Sequence, residues 1–259
     1  LEIVVLLKQV PATETFVEIA GDGASIRTDG IKWVINPYDE LAVEEALRIK
    51  EKHGGTVTVV SAGNEKTLDA VRTAFAMGAD RGILINDPAL KSCDGLGIAK
   101  ILAGVLKTIP FDLVIAGQRA VDDENFLVGP AAAEFLNIPS ISMVIRAEVS
   151  DGVIRCVKTV DGGTMELEAR LPLLFTTQRG LNEPRYASLP GIMKAKKKPL
   201  EVKTLADFKI ETPSQDAAAR VVAMNLPPVR KAGRIIRGAD ARQKAAELVK
   251  ALREEAGVI

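Results

Sequence analysis

The sequence predicts an α/β protein: a mostly parallel sheet covered by helices, an antiparallel extension, and a C-terminal helical arm. Three observations carry this. Through the first two-thirds of the 259 residues, short continuous apolar runs alternate with segments of three/four apolar spacing. That is the pattern of strands buried on both faces with helices between them. After about Pro139 the pattern becomes short strands separated by Asp-Gly turns. Beyond Ala217 a Pro227–Pro228 break precedes a final amphipathic stretch. The chain is expected to divide into a main domain over 1–228 and an arm over 229–259.

Taken in order, residues 3–7, 56–61, 82–85, 112–116 and 173–176 read as buried strands. Ala42, Val43, Ala46, Leu47 and Lys50 form one helical stripe, with Glu44 and Arg48 paired at i,i+4 on the wet side. His53 before Gly54 and Gly55 reads as a helix stop. Leu68, Val71, Ala74 and Phe75 form a second stripe, which Gly78 ends. Ile98, Ile101, Leu102, Val105 and Leu106 form a third, and residues 131–136 a fourth. Residues 144–147, 153–158 and 165–169 read as antiparallel strands turning at Asp151-Gly152 and Asp161-Gly162-Gly163. Residues 182–199 show little periodicity. In the arm, 220–224 looks strand-like. A helix near 239–255 puts Ala241, Ala245, Leu248 and Leu252 on one stripe, the face of a helix that docks on something.

Composition excludes several classes of function. Lys+Arg and Asp+Glu are both 34, so no overall field attracts nucleic acid. No apolar run approaches the roughly 20 residues of a membrane span. The chain enters its first strand with no basic leader, so a soluble cytoplasmic protein is expected (mitochondrial matrix in a eukaryote). The single histidine is a helix stop, Cys93 and Cys156 lie far apart, and no GxSxG occurs. Zinc sites, CxxC redox pairs and Ser–His–Asp or Cys–His nucleophiles are therefore absent. Reactive chemistry has to come from a bound molecule or a partner.

Three segments could carry function. In Asn36-Pro37-Tyr38-Asp39, asparagine fits an N-cap and proline the first helical position; such a helix start can equally meet a phosphate or an adenine edge. Gly117-Gln118-Arg119-Ala120-Val121 and the acids Asp122, Asp123 and Glu124 follow a strand and precede a helix, where open parallel sheets bind ligands. The acids suit helix-start caps or adenine and ribose contacts, leaving backbone N–H groups and Arg119 for a phosphate. Gly21-Asp22-Gly23 lacks a third glycine and is a turn. In 179–198, apolar Leu189, Ile192 and Met193 flank Pro190 and Gly191 beside Lys194, Lys196, Lys197 and Lys198. An apolar anchor ringed by cations suits a partner-docking loop.

Together these segments resemble the beta subunit of electron transfer flavoprotein. The resemblance runs essentially the whole chain: Lys8-Gln9-Val10-Pro11, Asp29-Gly30 before Asn36-Pro37, residues 76–81, Val121-Asp122-Asp123, and residues 181–198. It implies an adenine-nucleotide-hydrolase-like (Rossmann-like) fold and an electron carrier rather than an enzyme. It further implies a heterodimer with an alpha subunit holding most of the FAD, fed by flavin dehydrogenases such as acyl-CoA dehydrogenases and emptied by a quinone oxidoreductase or another acceptor. By the same resemblance a structural AMP falls on Leu6, Asn36, Pro37, Tyr38, Asp39, Ala62, Asp122, Asp123, Glu124, Asn125, Phe126, Leu127, Val128, Gly129, Pro130, Ala131, Ala132 and Ala133. The family's recognition loop falls on Leu189 and Pro190 with their neighbours through Lys198, and the last helix on the arm that packs with the alpha subunit.

Electron-bifurcating members hold a second FAD in place of AMP, with Asp-Gly-Asp-Thr then Gln-Val-Gly-Pro in the loop. This chain has Asp122-Asp123-Glu124-Asn125, nearer the AMP class, yet Tyr38-Asp39 and Val128-Gly129-Pro130, nearer the bifurcating class; AMP is the expectation. A stand-alone nucleotide-binding stress-type protein would need a loop such as SGGxDS, which is missing.

Overall fold

The computed structural model describes residues 1–211, 218–230 and 232–259. Ala217, beyond which the connector to the arm is expected, lies outside the described residues. These fall into two compact units, one of Leu1–Glu18 and Ile26–Val222, the other of Ile19–Ser25 and Ala223–Ile259.

In the first unit β1 (Glu2–Leu6) is followed by β2 (Gln9–Pro11) and β3 (Trp33–Ile35), which pair antiparallel as a small ribbon. Then come α1 (Pro37–His53), β4 (Thr56–Ala62), α2 (Leu68–Met77), β5 (Arg81–Ile85), α3 (Gly95–Leu106), β6 (Leu113–Gly117) and α4 (Val128–Leu136). β7 (Ser140–Ser150), β8 (Val153–Val160), β9 (Gly163–Arg170), β10 (Leu173–Thr177), α5 (Leu189–Ala195) and β11 (Leu200–Lys203) complete it. The main sheet runs β11-β5-β4-β1-β6-β10-β7-β8-β9. It is parallel from β11 to β7 and antiparallel through β8 and β9.

The apolar run of β1 is continuous because each of its faces meets a core. Ile3 and Val5 pack with Ala42 and Ala46 of α1 and Val71 and Phe75 of α2. Val4 and Leu6 pack with Ile101, Leu102 and Val105 of α3 and Ala132 of α4. A strand residue alternates faces at period two, so a two-sided core leaves no position for a polar side chain. Gly54 and Gly78 end α1 and α2 at φ 74° and 144°, as their sequence positions predict.

The structure differs from expectation in several places, the β2–β3 ribbon among them. β7 is far longer than 144–147 and belongs to both parts of the sheet. Ser140 and Ile141 pair parallel with β10, and a register shift between Val144 and Arg146 precedes the antiparallel pairing with β8. β11 was hidden in the sequence because four residues at a sheet edge need no apolar alternation. Residues 220–224 form no strand, and Val221 and Val222 are exposed.

The second unit holds α6 (Ala241–Lys250), extended by one π turn over Ala251–Glu255. Asp240 caps it by accepting from the Gln243 N–H at 2.8 Å, and Arg234 pairs with Glu255 at 2.6 Å. Met224 N–H donates to Gly23 O at 2.8 Å, a bond between the two stretches that make up this unit.

Candidate functional site

The chain leaves β1 through β4 and β5 on one side, then returns to β1's other side as β6. At such a reversal the loops leaving adjacent strands part, opening a crevice at the carboxyl ends. A cleft of about 280 Å³ lies there. Leu6 at the end of β1, Ala62 at the end of β4, and Ala116 and Gly117 at the end of β6 line it, with Leu90, Ile98 and Leu102 adding apolar wall. Its polar residues are Lys8, Asn36, Asp39, Asp94, Gln118, Arg119, Asp123 and Asn125.

The start of α1 organises this region. Asn36 stands at the N-cap but makes no side-chain cap bond. Its amide is used elsewhere: Nδ2 donates to Arg119 O at 2.8 Å and to Asp39 Oδ1 at 3.0 Å, and Oδ1 accepts from Val121 N at 3.1 Å. The buried Asn36 thus pins the loop after β6 to the helix start. Asp39 accepts from Lys8 N at 2.7 Å and Gly117 N at 3.0 Å, tying the ends of β1 and β6 together. Burial pushes the Asp39 carboxyl up to about 7, against the pull of these hydrogen bonds. Gly117 is required, because a Cβ there would collide with the Asp39 carboxylate.

The three acids of the loop are not helix caps. α4 begins at Val128 without a side-chain cap. Asp122 and Asp123 instead receive the Lys8 ammonium at 2.8 and 3.0 Å, and Glu124 lies 3.4 Å from Arg119 Nε. Burial lowers the Lys8 pKa, but the two carboxylates outweigh it and hold the ammonium above the ordinary lysine value. The Arg119 guanidinium sits 5.0 Å from the ring centres of both Tyr38 and Phe126. Among the described residues Gln118 Oε1 is buried with no hydrogen-bond partner, and Arg119 Nε has the Glu124 carboxylate as an ion-pair neighbour but makes no hydrogen bond. A buried acceptor without a partner is rare in a folded protein unless a ligand or water completes it.

Of the residues expected at a nucleotide, Leu6, Asn36, Asp39, Ala62, Asp123, Asn125, Val128 and Gly129 line the cleft. Pro37, Tyr38, Asp122, Glu124, Phe126, Leu127, Pro130, Ala131, Ala132 and Ala133 are outside its lining. The helical turn of α4 sends Ala132 and Ala133 into the core. Sequence reasoning gave no site role to Lys8, Leu90, Cys93, Asp94, Gly95, Ile98 or Leu102. Lys8 carried a signal, since it follows a buried strand directly; the others come from α3 and the turn before it, whose side the apolar pattern leaves open.

The expected docking segment is not a free loop. Asn182 Nδ2 donates to Leu41 O and Glu45 Oε2. Arg185 reaches Glu44 through its backbone N–H, Nε and Nη2 at 3.1, 2.8 and 3.1 Å, and also grips Glu51. Ser188 caps α5, and Gly191 lies so close to Ala76 O that a Cβ would clash. Leu189 and Met193 remain 80% and 74% exposed, and Pro190 and Ile192 stand beside them. Lys194, Lys196 and Lys197 are exposed. Lys198 departs from the expected steering role: its Nζ donates to Phe75 O and Ala79 O at the end of α2, so burial lowers its pKa and its charge caps a helix.

A family model described as the electron transfer flavoprotein domain matches residues 24–208. The electron transfer flavoprotein subunit beta of Bacillus subtilis is 43% identical over 256 residues, covering 98% of each chain. The chain belongs to the electron transfer flavoprotein beta-subunit family. The subunit beta of Bradyrhizobium diazoefficiens is 39% identical over 100% of each chain, and the human one 36% identical over 90% of this chain and 91% of its own. The family model spans the segment 182–199 and the cleft residues from Asn36 to Gly129. Among the described residues no helix is long and apolar enough to cross a membrane, and no His/Cys/Asp/Glu group could hold a metal ion.

Proposed function

We propose that this chain is the beta subunit of a heterodimeric electron carrier that receives electrons from flavin dehydrogenases and passes them to a quinone oxidoreductase or other acceptor. A structural AMP occupies the cleft, and FAD is held mainly by the alpha subunit. The near full-length family match carries the assignment to a beta subunit. The cleft carries the nucleotide: its apolar wall of Leu6, Ala62, Leu90, Ile98 and Leu102 suits a base, and the first turn of α4 has N–H groups without intrahelical partners to meet a phosphate. Gln118 Oε1, without a hydrogen-bond partner among the described residues, is an acceptor such a ligand would satisfy.

AMP has no redox chemistry, and FAD when bound supplies all of the electron transfer. This chain's residues therefore bind and orient. Asn36 and Asp39 set the loop, and the exposed Leu189 and Met193 offer an apolar contact to the electron donor. The loop sequence Asp122-Asp123-Glu124-Asn125, in place of Asp-Gly-Asp-Thr, favours AMP over a second FAD. The test is to purify the chain with its alpha subunit, release the ligands by denaturation and quantify them chromatographically. One AMP and one FAD per heterodimer is expected. Two FADs would make it the bifurcating kind, and ATP or no nucleotide would overturn the reading.

A further inference from the structure

The loop from Gln118 to Leu127 covers the cleft by virtue of bonds at three points. Asn36, buried, holds its start through Arg119 O and Val121 N. Its far end is self-braced, since Asp123 accepts from Asn125 Nδ2 and Asn125 Oδ1 accepts from Leu127 N. Between them the Lys8 ammonium takes Asp122 at 2.8 Å and Asp123 at 3.0 Å, across more than a hundred residues of sequence. The loop is also strained: Glu124 and Phe126, neither a glycine, sit at φ 47° and 55°. Left-handed backbone in such residues persists where the surroundings impose it. Phe126 is held by its stack on Arg119, and Glu124 lies between the two residues that Lys8 and Asn125 fix.

Lys8 lies between β1 and β2 with its N–H bonded to Asp39 and its carbonyl accepting from Asn36 N–H, so it is a fixed post rather than part of the moving loop. It lines the cleft together with Asp123. We propose that Lys8 is a positioning residue that latches this loop over the nucleotide and sets how long the nucleotide stays. This rests on the reading that the cleft holds AMP. Asn36 defines where the loop begins, while Lys8 makes the side-chain bonds that hold the middle of the loop. Opening therefore breaks the Lys8 bonds first and lets the strained residues relax. The latch is half exposed, with side-chain exposures of 41%, 30% and 41% for Lys8, Asp122 and Asp123, so salt weakens it.

The experiment compares wild-type heterodimer with Lys8→Met and Lys8→Arg. The Lys8 N–H that Asp39 accepts is backbone and survives either change. Release of radiolabelled AMP into excess cold AMP is followed at low and high salt, with hydrogen exchange of residues 118–127 as a second readout. Lys8→Met should release AMP roughly fivefold faster, lose most of the salt dependence and raise loop exchange. Lys8→Arg should stay near wild type. AMP released from Lys8→Met at the wild-type rate, with the wild-type salt slope and loop exchange, would overturn the latch alone. A wild-type heterodimer that binds no AMP would overturn the nucleotide reading beneath it.

Discussion

Replacing Arg185 with methionine removes the guanidinium while keeping most of the stem that lies along α1. The partner left behind is Glu44, whose side chain is 4% exposed and which then keeps only Arg48 Nε at 2.8 Å and the backbone N–H of residue 185. Breaking a fully buried pair costs about 3–5 kcal/mol. Arg185 is itself 34% exposed and Arg48 stays, so about 2 kcal/mol is the reasonable figure after solvent screening. For a unit of this size that lowers Tm by about 4–8 °C. The effect has a pH signature. Burial raises the Glu44 pKa, but Arg185 and Arg48 bring it below the ordinary glutamate value, and Arg185 does the same for the exposed Glu51. A carboxylate with a depressed folded pKa contributes stability above its unfolded value near 4.5 and loses it as pH falls through the folded one. The gap between wild type and Arg185→Met should therefore be full at pH 7 and close below pH ~4. Thermal unfolding followed by circular dichroism at a series of pH values measures both. A Tm within about 1 °C of wild type at pH 7, or a gap that does not shrink in acid, would refute the account.

Leu189→Ala should leave Tm and nucleotide content unchanged, because the side chain is 80% exposed. It should weaken capture of electrons from the dehydrogenase by roughly ten- to a hundred-fold, the worth of one buried leucine; a stability loss with normal electron uptake would defeat it. Gly117→Ala drives a methyl group into the Asp39 carboxylate, with Tyr38 Cβ at 2.8 Å and Asn36 Nδ2 at 3.1 Å. Overpacking of this kind costs about 1–3 kcal/mol, so melting should fall by several degrees and AMP should be retained less well. Wild-type values in both assays would mean the junction of β1, β6 and α1 is looser than its bonds indicate.

The parallel strands and their helices were legible because a two-sided core forces unbroken apolar runs such as Ile3–Val4–Val5–Leu6 and stripes such as Leu68, Val71, Ala74 and Phe75. β2, β3 and β11 were not, since three or four residues leave too short a pattern. The acids at 122–124 were found as a loop, but the helix-cap part of their expected work is not what they do. What Asp122 and Asp123 do depends on Lys8, which topology alone brings to them. Asn36 shows the same limit in a single residue: its place at the helix start is local information, but Arg119 and Val121 compete successfully for its amide from over eighty residues away. The Arg185–Glu44 pair bridges 141 residues and leaves no sequence trace beyond two ordinary charges.

The stretch that carries Tyr186, Leu189 and Met193 is anchored on both flanks. Asn182 and Arg185 fasten one side to α1, while Lys198 and the β11–β5 pairing fasten the other. Its conformational entropy is given up when the chain folds, not when a second surface arrives. Between those moorings the side chains pointing outward share no core duties, so they can be exchanged like type in a fixed frame. The frame sets where contact is made; the letters set in it decide with what.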